Sequence, residues 1–180
     1  MKKEDWIKKS LELVSTFGIE VLKIDSLSKE LKVTKGSFYH HFKNQKEFTF
    51  QLLDFWYKDL TLHPIEELNK LSDPYAQLEI LDSVIFSKDL NIERHFRAWA
   101  LTNPFVAKFI EPIDKIRIET LKTIYLRIFL KRSEKEITLL AQYTYSQLIG
   151  QLFILPDFSI EKQKELEEFM FQQILKDELC

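Results

Sequence analysis

Apolar residues recur three and four positions apart along almost the whole chain, and where the recurrence stops a helix cap or a proline stands. A period near 3.6 residues selects amphipathic helices over strands, whose side chains alternate every two residues. Ile7, Ser10, Leu11, Val14 and Phe17 make the first stripe, closed by Gly18. Ile24, Leu27 and Leu31 give a short second helix, and Thr34 caps an equally short third that carries Phe38 and Phe42, with Val33 at its start. Asn44, with Glu47 three residues on, opens a longer fourth helix through Phe48, Leu52, Phe55 and Trp56, expected to end at His63-Pro64. Only three glycines and five prolines interrupt 180 residues, which leaves room for little besides helices and short connections. The expected fold class is all-α.

Asp73-Pro74 and Asn103-Pro104 each set an N-cap residue before a proline at the first helical position. A shorter helix is expected at about 92–102 between them. The helix from Pro104 should run toward Leu130, with Pro112 kinking it or capping its first turns. Ser133 with Glu136 starts another that reaches about Leu155, and Ser159 caps a last one to about Lys176. Neither an internal repeat nor a Gly/Ser linker is present. The domain boundary is therefore placed inside the fourth helix, between a head at 1–48 and a body at 49–180.

Net charge is −2, but residues 1–48 hold ten lysines against seven acids, +3, which leaves −5 for the remainder. A basic head on an acidic body hints at a polyanion partner. The single cysteine, Cys180, allows neither an intrachain disulfide nor a multi-cysteine metal site. The N-terminus lacks the apolar core of a signal peptide and no run approaches the length of a membrane span, so a cytoplasmic protein is expected.

Two short helices joined by a tight turn behind a longer supporting helix suggest a helix-turn-helix at about 23–42, the third helix being the recognition helix. Val33, Phe38 and Phe42 belong to the core, which leaves Lys35, Gly36, Ser37, Tyr39, His40 and His41 on the outer side. Lysines and hydroxyls there are phosphate donors, and a glycine permits close approach of a backbone. Adjacent histidines on a helix point about 100° apart, so a metal reading of the His40-His41 pair lacks converging ligands.

The segment "IDSLSKELKVTKGSFYHHFKNQKEF" resembles the DNA-binding segment of the TetR family of transcriptional repressors, over about residues 6–52. The resemblance implies a homodimeric, non-enzymatic regulator that binds double-stranded operator DNA and is released by a small, largely apolar effector, with no cofactor. It places Asp25, Ser26, Thr34, Lys35, Gly36, Ser37, Tyr39, His40, His41, Lys43 and Lys46 at the DNA. Three positions depart from the family pattern: Lys23 replaces an N-cap hydroxyl, Lys32 the turn glycine, and Gln45 a lysine at the start of the fourth helix. No arginine precedes Arg94, so the bidentate arginine contact to guanine is unavailable to the head.

In the body, no His-Glu-x-x-His, no di-iron carboxylate pattern, no phosphate-binding glycine loop and no nucleophile elbow occurs. Aromatics at helical spacing are core residues in most proteins, yet the resemblance implies an effector pocket, for which Phe86, Phe96, Trp99, Phe105, Phe109, Tyr125, Tyr143 and Phe153 are the candidates. The helix after Ser133 is apolar on more than one face, so it must be buried on two sides. Thr144, Leu148 and Leu152 on it, with Leu166, Phe169, Met170 and Ile174 on the last helix, are the candidate dimer interface. A helical interaction protein that has lost operator binding is the competing reading.

Overall fold

The computed structural model describes residues 2–154 and 160–176. Every regular element among them is helical: α1 Lys3–Phe17, a 3-10 turn Ile19–Leu22, α2 Ile24–Glu30, α3 Lys35–His41, α4 Gln45–Tyr57, a π turn Lys58–Leu62 and α5 His63–Leu68. Then come α6 Pro74–Ser87, α7 Asn91–Ala100, α8 Pro104–Ile128, α9 Glu134–Ile154 and α10 Ile160–Lys176. The expected helix end at Leu155 and the Ser159 cap lie outside the described residues. None of the described helices is long and apolar enough to cross a membrane.

Two compact units are formed. One takes the chain up to Glu66 together with Lys88–Asp114; the other takes Glu67–Ser87 and the residues from Lys115 on. The first unit thus contains α1 to α4, α7 and the first turns of α8. A division of roles after residue 48 cuts across it.

The first unit is built on aromatic rings. Trp6 of α1 meets Phe38 at 5.7 Å and Phe42 at 6.2 Å edge-on, and Phe48 of α4 closes the group at 5.3 Å and 4.9 Å from the same two phenylalanines. All four are buried. Burying rings of this size removes enough apolar surface to stabilise the unit by several kcal/mol, roughly 1.5–3 for each phenylalanine. Further along, Trp56 stands edge-on to Phe96 of α7 at 5.5 Å. The Arg97 guanidinium joins α7 to α8, donating from Nε to Glu93 at 2.6 Å and from Nη2 to Asp114 at 2.6 Å.

The second unit centres on Tyr125, Phe129, Ile137, Leu140 and Ala141, with Phe171 and Ile174 of α10 packed on its margin. Gln77 is buried there because its amide is fully used: Nε2 donates to the carbonyls of Leu68 and Leu71, and Oε1 accepts from Arg127 at 2.9 Å. Ser133 and Glu136 form the expected reciprocal cap of α9. The Ser133 N–H donates to Glu136 at 2.8 Å, and the Glu136 N–H donates to the Ser133 hydroxyl at 3.3 Å.

One expectation about the prolines needs correction. Helical structure does not end at His63-Pro64: α4 runs on through the π turn into α5, and Pro64, which has no N–H to give to the preceding turn, stands just after that widened turn. The wider turn before it, in which the His63 N–H donates to the Lys58 carbonyl five residues back, takes up the extra backbone. α8 runs from Pro104 to Ile128, close to the expected end at Leu130, with Pro112 inside it and not at its start. The boundary between the units falls just beyond that proline.

The turn between α2 and α3 shows what the missing glycine does. The Val33 N–H donates to the Ser28 carbonyl at 2.9 Å and the Lys32 N–H to that of Lys29 at 3.1 Å, the paired bonds of a Schellman C-cap. That motif requires a left-handed residue, and Lys32 adopts it at φ 55°, the one non-glycine with positive φ among the described residues. The turn is kept at the expense of a strained backbone. Lys32→Gly should raise stability by about 0.5–1 kcal/mol, seen as a higher urea midpoint; an unchanged or lower midpoint would show that the lysine side chain contributes more than its strain removes.

Candidate nucleic-acid interface

The turn and the ring cluster together set the orientation of α3. Thr34 starts it by accepting the Ser37 N–H on Oγ1 at 3.2 Å, and Phe38 and Phe42 bury its inner side. Lys35, Gly36, Tyr39 and His40 are therefore exposed, while Ser37 and His41 are half-buried beside them. Tyr39 is 57% exposed, with its ring edge-on to Phe38 at 5.4 Å. Among the described residues no three metal-ligating side chains converge, and the rings of His40 and His41 simply meet edge-on at 5.0 Å.

Gly36 is the informative position. Its φ is not in the left-handed region, and a Cβ added there would meet only Thr34 Oγ1, at an ordinary 3.6 Å. Nothing inside the protein requires a glycine, although one in a helix is less favourable than alanine by about 1 kcal/mol. The space kept open lies outside the molecule. At Gly18, by contrast, φ is 75° and a Cβ would touch the His95 ring at 3.4 Å, so that glycine serves the fold.

Around α3 the charges are partly engaged. Lys35, at the start of the helix, is ion-paired with Asp25 in the first turn of α2, and the hydrogen bond to that carboxylate raises the lysine pKa. Ser26 follows Asp25 on α2 and is half-buried. Asn44 caps α4, accepting the Glu47 N–H at 2.9 Å, and Glu47 accepts the Lys43 N–H at 2.8 Å, which fixes the turn between α3 and α4. That backbone bond, with Lys3 at 3.3 Å and Gln51 at 2.8 Å adding to it, lowers the Glu47 pKa. The Lys43 side chain is exposed. Lys46 is exposed too, but its ammonium rests 5.3 Å from the centre of the Phe105 ring.

Gln45 has a definite role that spacing alone did not reveal. Its Nε2 donates to the Leu22 carbonyl at 2.6 Å, tying the first residue of α4 to the 3-10 turn that leads into α2. The amide thus ties α4 to the segment that enters the helix-turn-helix. The sequence contained no sign of this, because the partner carbonyl lies 23 residues away.

The eight aromatic candidates occupy different surroundings. In the first unit Phe96 is fully buried, Trp99 packs beside it at 6.4 Å, Phe105 carries the Lys46 ammonium, and Phe109 meets Phe50 edge-on at 5.8 Å. In the second, Tyr125 is buried with its hydroxyl donating to Thr144 Oγ1 at 3.3 Å, whereas Tyr143 and Phe153 are exposed. The Phe86 side chain lies outside the described residues. Of the expected dimer residues, Leu152 is buried, Thr144, Leu148, Leu166, Met170 and Ile174 are half-buried, and Phe169 is exposed. A different stripe of α9 faces out: Leu139, Tyr143, Ser146 and Phe153, with Gly150 among them. A Cβ on Gly150 would meet nothing within 4 Å.

Residues 7–51 match the family model described as bacterial regulatory proteins, tetR family. Comparison of the sequence with curated proteins gives no match. The fold is similar to a transcriptional regulator from Rhodococcus sp. Rha1, with TM-score 0.79 and 18% identity over 98% of this chain and 97% of that one. It is also similar to a transcriptional regulator from Saccharomonospora viridis in complex with choline, TM-score 0.76 and 16% identity over 93% and 94% of the two chains. A ketosteroid transcriptional regulator of Mycobacterium tuberculosis aligns with TM-score 0.68 and 13% identity over 94% and 91%. At these identities the likeness is one of fold.

Gly36→Ala should raise the melting temperature, by the equivalent of about 0.5–1 kcal/mol, and weaken binding to DNA. A variant that binds DNA as tightly as the parent would show that the open side of α3 receives no backbone.

Proposed function

From a chain that belongs, through residues 7–51, to the TetR family of bacterial regulatory proteins, we propose a homodimeric repressor that leaves its operator when a small, largely apolar effector binds. Regulators of this family are DNA-binding transcription factors and not enzymes. The observation that carries the DNA reading is Gly36: the recognition helix keeps an open approach that its own packing does not need. Residues 1–48 are the DNA-binding head, and 49–180 bind the effector and the second copy. The protein acts where the DNA is, in the cytoplasm.

On this reading α3 enters the major groove. Tyr39 and Lys43 hold phosphates, Thr34 and His41 support that grip, and Lys35, Ser37 and His40 lie near base edges. Asp25 and Ser26 approach from α2. Lys46 reaches a phosphate only by leaving the Phe105 ring. Two copies pair through α9 and α10, and the outward stripe of Leu139, Tyr143, Ser146, Gly150 and Phe153, with Phe169, suits that pairing better than Thr144 and Leu152, which are engaged within their own unit. Small residues at 146 and 150 let a partner helix come close.

The similar folds include a regulator in complex with choline, a ketosteroid transcriptional regulator and a fatty acid degradation regulator, so the fold by itself selects no effector. Half-buried aromatics such as Trp99 and Phe109 suit an apolar effector. To shift the population from almost all bound to almost all released, that effector must favour the released form by about 5.5 kcal/mol.

Genomic fragments selected with the purified protein supply the operator. On such a fragment Lys43→Ala should lower the slope of log K against log salt by roughly one unit, with melting unchanged, and Tyr39→Phe should weaken binding without loss of stability. Retardation of no fragment at low salt would favour an interaction protein, a reading consistent with Gln45 and Lys46 both being engaged inside the protein.

A further inference from the structure

The ion pair between Asp25 and Lys35 stands on the face that the proposed function turns toward DNA, and it carries little of the fold. Both side chains are largely exposed, at 73% and 63%. Exposed pairs contribute little to stability, and α3 is already held to α2 by the Schellman turn and to α1 and α4 by the ring cluster. What the pair does affect is the chemistry that α3 presents.

A duplex offers two kinds of partner. Phosphate oxygens only accept hydrogen bonds, so they attract Lys35 and repel Asp25. The major-groove edges of the bases offer acceptors too, at purine N7, guanine O6 and thymine O4, and also amino donors, at adenine N6 and cytosine N4. If Lys35 moves to a phosphate, Asp25 is left with an unpaired charge in a closing, negatively charged interface, which is unfavourable. If Lys35 moves to a base acceptor beside an amino group, the carboxylate gains a donor and both charges stay satisfied.

Lysine alone could not make this distinction. Its ammonium is a freely turning point charge without the directional fork of arginine, and the head has no arginine. Asp25 supplies the missing direction, because it restricts the places where the ammonium can settle. Two other acids of the head are used differently: Glu20 is paired with Lys23 at 2.5 Å, and Glu47 accepts the Lys43 N–H.

Resting on the DNA-binding reading above, we infer that Asp25 is a specificity residue. Paired with Lys35, it weakens attachment to phosphates alone and favours sites where a major-groove acceptor lies next to a base amino group. The residue acts mainly against wrong sequences, by leaving a charge unmatched there.

The test uses the full-length protein, a genomic fragment selected by the parent protein, and a scrambled duplex of the same length and composition. Binding to both is measured across a salt series. Asp25→Asn should tighten binding to the scrambled duplex several-fold, toward about tenfold at low salt, and change binding to the selected fragment much less. The ratio between the two should fall by at least about threefold. Equal tightening on both duplexes would reduce Asp25 to a bulk charge and overturn the inference, and so would parallel weakening on both. A parent protein that retards neither duplex would overturn the DNA-binding reading itself, whereas a parent that binds with an unchanged ratio in the variant overturns only the role of Asp25. Asp25→Ser, also uncharged and small, must give the same direction, which keeps the result decisive should the asparagine variant melt early.

Discussion

The recognition helix is held by four rings. Trp6, Phe38, Phe42 and Phe48 come from α1, from α3 and its end, and from α4, and their edge-to-face packing is what joins three short segments into one body. A seven-residue helix such as α3 has no stability of its own, because helix nucleation is unfavourable and elongation over two turns cannot offset it. With Phe38 and Phe42 buried, the other side of the helix must face outward, so its lysine, glycine, tyrosine and histidine are presented as a consequence of packing. Function at this surface depends on a hydrophobic contact on the opposite side.

Much of this was legible before the structure. Gly18, Thr34, Asn44 and Ser133 each stand where a helix begins or ends, because a left-handed residue or a side-chain oxygen solves a local problem that the local sequence states. The outer residues of α3 could be assigned by subtraction once Phe38 and Phe42 were given to the core. What escaped sequence reading depends on partners distant along the chain. The amide of Gln45 reaches Leu22, and the Lys46 ammonium reaches Phe105; neither spacing carries a signal. Pro64 looked like a terminator because a π turn leaves no local signature. On α9, apolar residues occupy more than one face, and periodicity alone could not say that 152 turns inward while 139, 143 and 153 turn out.

Electrostatics sharpen the same surface. A net of +3 over residues 1–48 is modest for a partner of such high charge density, and two of the lysines are held by acids already counted in it, Lys35 by Asp25 and Lys3 by Glu47. On the proposed function, a head of such modest charge gains little from phosphates alone, and base edges and shape carry more of its affinity. Gln45 belongs to this economy: where a lysine would add a phosphate contact, the amide adds rigidity. The three departures from the family pattern thus have different consequences, one strained turn at Lys32, one helix start without a side-chain cap at Lys23, and one internal tie at Gln45.

The central claim is that two copies of this head read one operator through α3. Hydroxyl-radical footprinting of the parent protein on a fragment selected from the genome measures this most directly. The account predicts two protected patches on one face of the duplex, with centres about 34–36 Å apart, one helical turn. A single patch, or uniform protection without a repeat, would contradict it.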